Sequence, residues 1–152
     1  MAKIKLDLDP QGPITYDREV AIPTPSGKPL KVMFTFKHRT REEMAELRER
    51  YIAKARENYV QATAEDKQEK VRREADEKAG RTYMPPEPKL VEGVPEAIAT
   101  DVAATMDIAT DWNLDSEFNA TNLSKFFSLY TAAPKAIGDD YFVSMTEGRL
   151  GN

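Results

Sequence analysis

The stretch LKVMFTFKHRTREE, residues 30–43, decides the fold because two different periodicities meet in it. Its first half alternates apolar with polar side chains, the apolar ones being Leu30, Val32, Phe34 and Phe36. A strict period of two with β-branched and aromatic residues predicts a strand with one apolar face. The segment TREE at 40–43 then has the form of a capping box, in which Thr40 and Glu43 each bond the other's backbone amide. A strand followed at once by a helix is therefore expected.

The residues before this stretch are also predicted to be extended. Ile4, Leu6 and Leu8 alternate with charged residues, and DPQGP at 9–13 interrupts the pattern. A second extended run covers 14–23, and TPSGKP at 24–29 supplies turn chemistry, with Gly27 free to adopt a positive φ. Residues 1–38 are thus predicted to form an antiparallel β-hairpin or small meander, which must bury its apolar face on another element.

A long helical pattern follows at 41–79. Apolar residues recur at spacings of three and four, as Met44, Leu47, Tyr51, Ala55 and Tyr59. This stripe is predicted to cover the strand face that carries Phe34 and Phe36. Beyond residue 60 the sequence is charged, and Gly80 suits the end of a helix. Residues 40–80 form either one long charged helix or a helical hairpin whose second helix Thr63 caps.

The remaining sequence is predicted to be a loop and a helical unit. RTYMPPEPKLVEGVP at 81–95 has four prolines and no periodicity, which is typical of a loop. Helical patterns then cover 95–112, starting with Pro95 in the first turn, 119–133 and 134–148. Short connections predict that these three helices, in a unit at 96–152, pack antiparallel. The expected fold class is α+β, in one domain over 1–152.

Composition excludes several functional classes. The chain has 152 residues, a formal net charge of −4 and no cysteine, so disulfides, thiol nucleophiles and zinc–thiolate sites are excluded. An acidic chain is a poor candidate for nucleic-acid binding, which depends on clustered Lys and Arg. The sequence also has no secretory leader pattern and no apolar run long enough to span a bilayer. A soluble intracellular protein without a membrane or nucleic-acid partner is expected.

The charge is unevenly distributed along the chain. Residues 1–80 carry 17 Lys and Arg against 15 Asp and Glu, whereas residues 81–152 carry 5 against 11. Such asymmetry is typical of surfaces of opposite sign, which can meet within a molecule or between copies. Two separately solvated faces would give the same pattern.

A possible calcium loop lies in DWNLDSEFN, residues 111–119. Asp111, Asn113 and Asp115 occupy the first three ligand positions of the loop template. The template then requires a glycine where the chain has Ser116, and a bidentate glutamate where it has Asn122. The stretch is better interpreted as an acidic turn between two helices, with Trp112 as an apolar anchor.

Candidate catalytic residues are few. The single histidine, His38, is predicted to be a surface residue among basic neighbours at a strand end. Asp139 and Asp140 are adjacent, so on a helix their carboxylates point in different directions. No phosphate-binding loop, HExxH or GxSxG motif is present. We therefore expect a protein that is not an enzyme and has no metal or cofactor.

The last third of the chain carries a family resemblance. DWNLDSEFNATNLSKFFSLYTAAPKAIGDDYFVSMTEGRLGN, residues 111–152, resembles the tail assembly chaperones of long-tailed bacteriophages in its aromatic turn, its NL…FF..Y…P.AI…Y helical pair and its Arg149–Asn152 tail. The strand and charged helix of residues 28–60 are similar as well, so the resemblance covers roughly 28–60 and 98–152. Residues 61–94 have no counterpart in this resemblance and are interpreted as an insertion.

The resemblance implies a non-catalytic assembly factor in the host cytoplasm. Such a protein binds the tape measure protein, recruits tail tube subunits around it and self-associates as a homo-oligomer. Candidate partner contacts are the aromatic residues of the last two helices, Phe126, Phe127, Tyr130, Tyr141 and Phe142. The alternatives are a generic intracellular adaptor or regulatory domain that binds proteins and, on residues 111–122 alone, a calcium-binding helix-loop-helix protein.

Overall fold

The computed structural model describes residues 1–147 and has an α+β fold, as predicted. In chain order the elements are β1 Thr15–Ile22, β2 Leu30–Lys37, α1 Arg41–Lys78, α2 Leu90–Ile108, β3 Ala109–Trp112, α3 Ala120–Leu129 and α4 Ala133–Thr146. The Arg149–Asn152 tail lies outside the described residues.

The predicted hairpin is confirmed. β1 and β2 pair antiparallel, from Thr15 opposite Lys37 to Ile22 opposite Leu30. In the connecting turn, the Gly27 amide donates to the Thr24 carbonyl at 3.1 Å, and Gly27 has φ +79°. A positive φ is strained for other residues, so glycine is needed there. The alternation in β2 buries Val32, Phe34 and Phe36 on one face, as expected.

The strand predicted at residues 4–8 is wrong. These residues have no regular secondary structure, and Ile4, Leu6 and Leu8 are exposed. A period of two gives a segment the correct side-chain pattern for a strand. A strand also needs a neighbouring backbone to accept and donate its hydrogen bonds, and within the described residues this segment has none.

The helix predicted at 95–112 is wrong at its C-terminal end. It ends at Ile108, and Ala109–Trp112 form β3, which pairs antiparallel with β2 to give the order β1-β2-β3. Trp112 lies opposite Phe34, but Ala109 lies opposite Phe36, so β3 contains one extra residue. This β-bulge bends the short strand. The open edge of β2 supplied the pairing partner, and no local periodicity could reveal it.

The helix also begins earlier than Pro95. α2 starts at Leu90, so the loop is shorter than predicted and Pro95 lies inside the helix. Proline lacks an N–H and removes the helical hydrogen bond to the residue four positions earlier. That residue, Val91, is exposed, so water can hydrate its carbonyl. The helix therefore tolerates proline near its first turns.

α1 is one continuous helix, about 57 Å long at 1.5 Å per residue. Thr40 and Glu43 form the predicted capping box at its start. At its end the amides of Gly80 and Arg81 donate to the carbonyls of Glu77 and Asp76, a Schellman motif with Gly80 at φ +69°. The hairpin alternative is therefore not adopted. Thr63 lies within the helix and donates its hydroxyl hydrogen to the Tyr59 carbonyl.

Only the first part of the apolar stripe of α1 is buried. Met44 and Leu47 are buried and Tyr51 is half-buried, whereas Ala55 and Tyr59 are exposed. Helical spacing gives these residues a common face but does not determine how much of that face is buried. The packing of the stripe on the strand face of Phe34 and Phe36 stays a prediction. Within residues 1–147, no helix combines the length and apolarity needed to cross a membrane.

The chain divides into two compact units. One comprises Met1–Arg39 together with the chain from Val91 onward, and the other is Thr40–Leu90. The first unit contains the sheet and its hydrophobic core, in which the largest fully buried side chains include Phe34, Phe36 and Tyr141. The prediction of a single domain stays a prediction.

Candidate protein-interaction site

Asn113, in the acidic turn after β3, continues the backbone pairing with β2 beyond the end of β3. Both backbone bonding groups of Met33 are engaged by Asn113: the Met33 amide donates to the Asn113 Oδ1 at 2.9 Å, and the Asn113 amide donates to the Met33 carbonyl at 3.0 Å. Asp111 Oδ1 accepts the amide of Trp112 at 2.9 Å. Two of the oxygens considered as calcium ligands therefore satisfy backbone amides instead.

Trp112 anchors this turn in the core. Its ring is nearly buried and meets Phe34, Phe118 and Phe126 edge-on, with centroids 5.4 to 6.2 Å apart. Its Nε1–H donates to the Ser116 carbonyl at 2.6 Å. Edge-to-face aromatic contacts are favourable in this distance range. The predicted anchoring role of Trp112 is confirmed, although the residue ends a strand and not a helix.

The five aromatic candidates differ in accessibility. Phe126, Phe127 and Tyr141 are buried, whereas Tyr130 and Phe142 are half-buried. Ring contacts join Phe126 to Phe127 and Tyr130, and join Tyr141 to Phe142. The two half-buried rings thus lie against buried ones, so that the core positions the accessible side chains.

Tyr141 is the centre of a polar network inside the same unit. Its hydroxyl donates to the Lys37 carbonyl at 2.9 Å and accepts from the Arg39 guanidinium at 2.8 Å. Arg39 also donates to the Asp107 carbonyl and carboxylate, at 2.5 and 3.3 Å. This network, the Arg39 node, joins the end of β2 to the end of α2 and to α4. Sequence periodicity does not predict this hydrogen-bond network, because its members are far apart in the chain.

A groove that sequence reasoning missed lies between β1 and α4. Glu19–Ala21 of β1 form one wall, and Ala136, Asp139, Asp140 and Val143 of α4 form the other, around a volume of about 430 Å³. We call it the β1–α4 groove. Its lining is partly apolar and partly acidic, so it suits an extended segment with apolar and basic side chains.

One of the two aspartates that line the groove forms an ion pair with β1. The Arg18 Nε donates to both oxygens of Asp140, at 2.7 and 2.9 Å, and both side chains are mostly buried. Asp139, next in the chain, pairs with Lys135 on the exposed side of α4. The adjacent carboxylates therefore point in different directions, as predicted.

Tyr16 ties β1 to α4 beside the groove. Its hydroxyl lies 2.7 Å from the Ser144 Oγ, and Ser144 donates its own hydrogen to the Tyr141 carbonyl. Tyr16 is therefore the donor, and this bond lasts only while the phenol is protonated. Burial raises the pKa of Tyr16 above its ordinary value of 10.0, because the charged form is poorly solvated there.

This pKa shift predicts a loss of stability in alkali. Tyr16 keeps its proton to a higher pH in the folded chain than in the unfolded chain, so its contribution is complete below about pH 10 and is lost as the pH rises through the folded value. We expect the free energy of unfolding to fall less steeply above about pH 10 in the Tyr16→Phe variant. Urea unfolding followed by far-UV circular dichroism measures it, with Tyr59→Phe, an exposed tyrosine, as the control. The prediction is contradicted if the free energy of unfolding falls equally steeply with pH in the wild type, Tyr16→Phe and Tyr59→Phe.

The remaining catalytic and metal candidates are surface features. His38 is exposed, as predicted, and its ring meets Tyr16 edge-on at 6.5 Å. Within residues 1–147, no group of three or more His, Cys, Asp or Glu side chains is arranged to hold a metal ion.

Comparison with known proteins gives one match. A family model described as phage tail assembly chaperone matches residues 1–152, which includes the stretch 61–94 that the resemblance had left without a counterpart. Neither the curated proteins nor the solved structures gave a match.

Proposed function

Since this chain belongs to the phage tail assembly chaperone family, we propose that it binds the tape measure protein and recruits tail tube subunits around it during tail assembly. The action is binding without catalysis, and it takes place in the host cytoplasm. The single observation that carries the proposal is the family match over the full 152 residues.

The accessible aromatic side chains of α3 and α4 are the proposed client contacts. Tyr130 and Phe142 present half-buried rings, and amphipathic client helices dock through apolar side chains on such surfaces. Phe126, Phe127 and Tyr141 are buried beneath them and contribute by fixing their positions. Aromatic residues supported by a rigid core are typical of the residues that dominate binding energy.

Self-association is the second part of the proposal. A client as long as a tape measure protein offers binding positions to several copies, and copies that also contact each other bind it more tightly together than singly. The excess of acidic residues in 81–152 supports contacts with less acidic surfaces of a neighbouring copy.

Co-expression with the tape measure protein tests client binding. We expect the chain to co-purify with the tape measure protein, and the Tyr130→Ala/Phe142→Ala variant to bind about tenfold or more weakly, since each aromatic contact contributes on the order of 1 kcal/mol or more. Affinity is measured by titrating the purified chaperone against immobilised tape measure protein.

Tyr59→Ala is the matched control, because it removes an exposed aromatic ring from α1 and leaves α3 and α4 unchanged. Trp112 fluorescence verifies that both variants are folded, since this single tryptophan lies in the core. Wild-type affinity of the double variant would place the client contact elsewhere. A failure of the wild-type chain to co-purify would refute tape measure binding.

A further inference from the structure

One edge of the sheet is open. β2 lies between β1 and β3, so β1 has a strand neighbour on one side only within the described residues. Alternate residues of this eight-residue strand present backbone N–H and C=O groups along the other edge. The β1–α4 groove runs beside this edge, since three successive residues of β1, Glu19–Ala21, line it. An added strand would extend the sheet and place alternate side chains in the groove.

Residues 3–8 have the pattern of the missing strand. Ile4, Leu6 and Leu8 are 91, 74 and 81% exposed, although they alternate with charged residues as strand residues do. Pairing with an edge would bury them and would satisfy the backbone of both strands at once. A segment of six residues spans about 20 Å as a strand, which fits along the eight residues of β1.

Charge complementarity indicates how this segment would lie. In β1, Val20 and Ile22 face the core, whereas Asp17 and Glu19 are exposed on the opposite face. If Ile4, Leu6 and Leu8 face the groove, the intervening Lys3, Lys5 and Asp7 lie on the face of Asp17 and Glu19. Lys31 already pairs with Glu19 on that face, and the two lysines of the segment outnumber its one aspartate. Opposite charges on neighbouring strands are favourable.

We propose that residues 3–8 of one copy add as a strand to the open edge of β1 in a second copy, with their apolar side chains in its β1–α4 groove. In the single chain, segment and edge both stay unpaired although only residues 9–14 lie between them. A second copy supplies the same segment and does not require residues 9–14, which include Pro10 and Pro13, to form the loop of a hairpin. The proposal gives a structural basis to the self-association proposed above, and it does not depend on which client is bound.

Sedimentation analysis of the full chain tests the role of the segment. We expect the wild-type chain to self-associate and Leu6→Asp to weaken self-association at least tenfold, because a carboxylate would enter the groove beside Asp139 and Asp140. Leu129→Asp is the matched control, since Leu129 is 75% exposed and lies on α3, away from the segment. A wild-type chain that stays monomeric, or a Leu6→Asp variant that associates like the wild type, overturns the proposal.

Cross-linking identifies the copy that supplies the strand. The chain has no cysteine, so Lys5→Cys in a tagged copy and Glu19→Cys in an untagged copy introduce one thiol each. Adjacent strands bring such positions within disulfide range, so oxidation of the mixture should give a mixed dimer. If the Lys5→Cys/Glu19→Cys double variant closes its disulfide within one monomer and the mixture gives no mixed dimer, the segment pairs with its own chain and the proposal is wrong.

The client assay separates this proposal from the proposed function. A Leu6→Asp variant that is monomeric and still binds the tape measure protein supports the strand exchange and leaves client binding intact. If self-association requires residues 3–8 but the chain fails to bind the tape measure protein, the proposed client is wrong and the strand exchange stands.

Discussion

Replacing Tyr141 with alanine should lower the free energy of unfolding by about 3–5 kcal/mol, the range found when large aromatic side chains are removed from cores. Tyr141 is completely buried, and its ring lies 5.3 Å from Phe36. The substitution leaves a cavity beneath the sheet and also removes the hydroxyl of the Arg39 node. The Lys37 carbonyl and the Arg39 guanidinium then each lose a hydrogen-bond partner.

Urea unfolding followed by Trp112 fluorescence measures this effect, because the tryptophan reports on the unit that contains Tyr141. Tyr141→Phe separates the two contributions: it keeps the ring and loses the hydroxyl, so we expect a loss of about 1 kcal/mol. Tyr59→Ala, at an exposed position, should change stability by less than about 0.5 kcal/mol. A Tyr141→Ala loss as small as that of the control would show that Tyr141 does not support the core.

Replacing Trp112 with alanine should cost about 3–5 kcal/mol as well. The indole contacts Phe34 of β2 and Phe126 of α3, so its removal eliminates the aromatic contacts that it makes between the sheet and α3. It also removes the hydrogen bond that holds the turn to the Ser116 carbonyl. The effect should be larger than that of a single methylene deletion, because three ring contacts are lost together.

Far-UV circular dichroism measures this variant, since the fluorescent probe is lost with the side chain. Trp112→Phe keeps an aromatic ring and loses the Nε1–H donor. We therefore expect its loss in free energy of unfolding to be less than half of that of the alanine variant. A Trp112→Ala variant as stable as the wild type would contradict the anchoring role of this residue.

Local patterns predicted the elements whose signals are complete within a short stretch. The alternation at 30–37 predicted β2, the capping box at Thr40 and Glu43 fixed the start of α1, and Gly80 fixed its end. Each of these depends on side-chain periodicity or on hydrogen bonds between residues a few positions apart. The resemblance in residues 28–60 and 98–152 led to the family that the whole-chain match shows.

The candidate site was less predictable. The sequence drew attention to the aromatic residues of α3 and α4, but it did not separate the buried Phe126, Phe127 and Tyr141 from the more accessible Tyr130 and Phe142. All five share helical spacing, and their exposure depends on which neighbour packs against each turn. The β1–α4 groove was missed because its walls are more than 100 residues apart in the chain.

The sequence by itself determined the α+β class, the β1–β2 hairpin, the caps of α1 and the absence of cysteine chemistry, because short-range periodicity, turn residues and composition encode them. The tertiary structure alone decided that Ala109–Trp112 form a strand and that residues 4–8 do not. The physical reason is the same in both cases. A strand is stable only when another backbone satisfies its hydrogen bonds. β3 therefore exists because the edge of β2 is beside it, and residues 4–8 have no regular structure because no backbone among the described residues pairs with them.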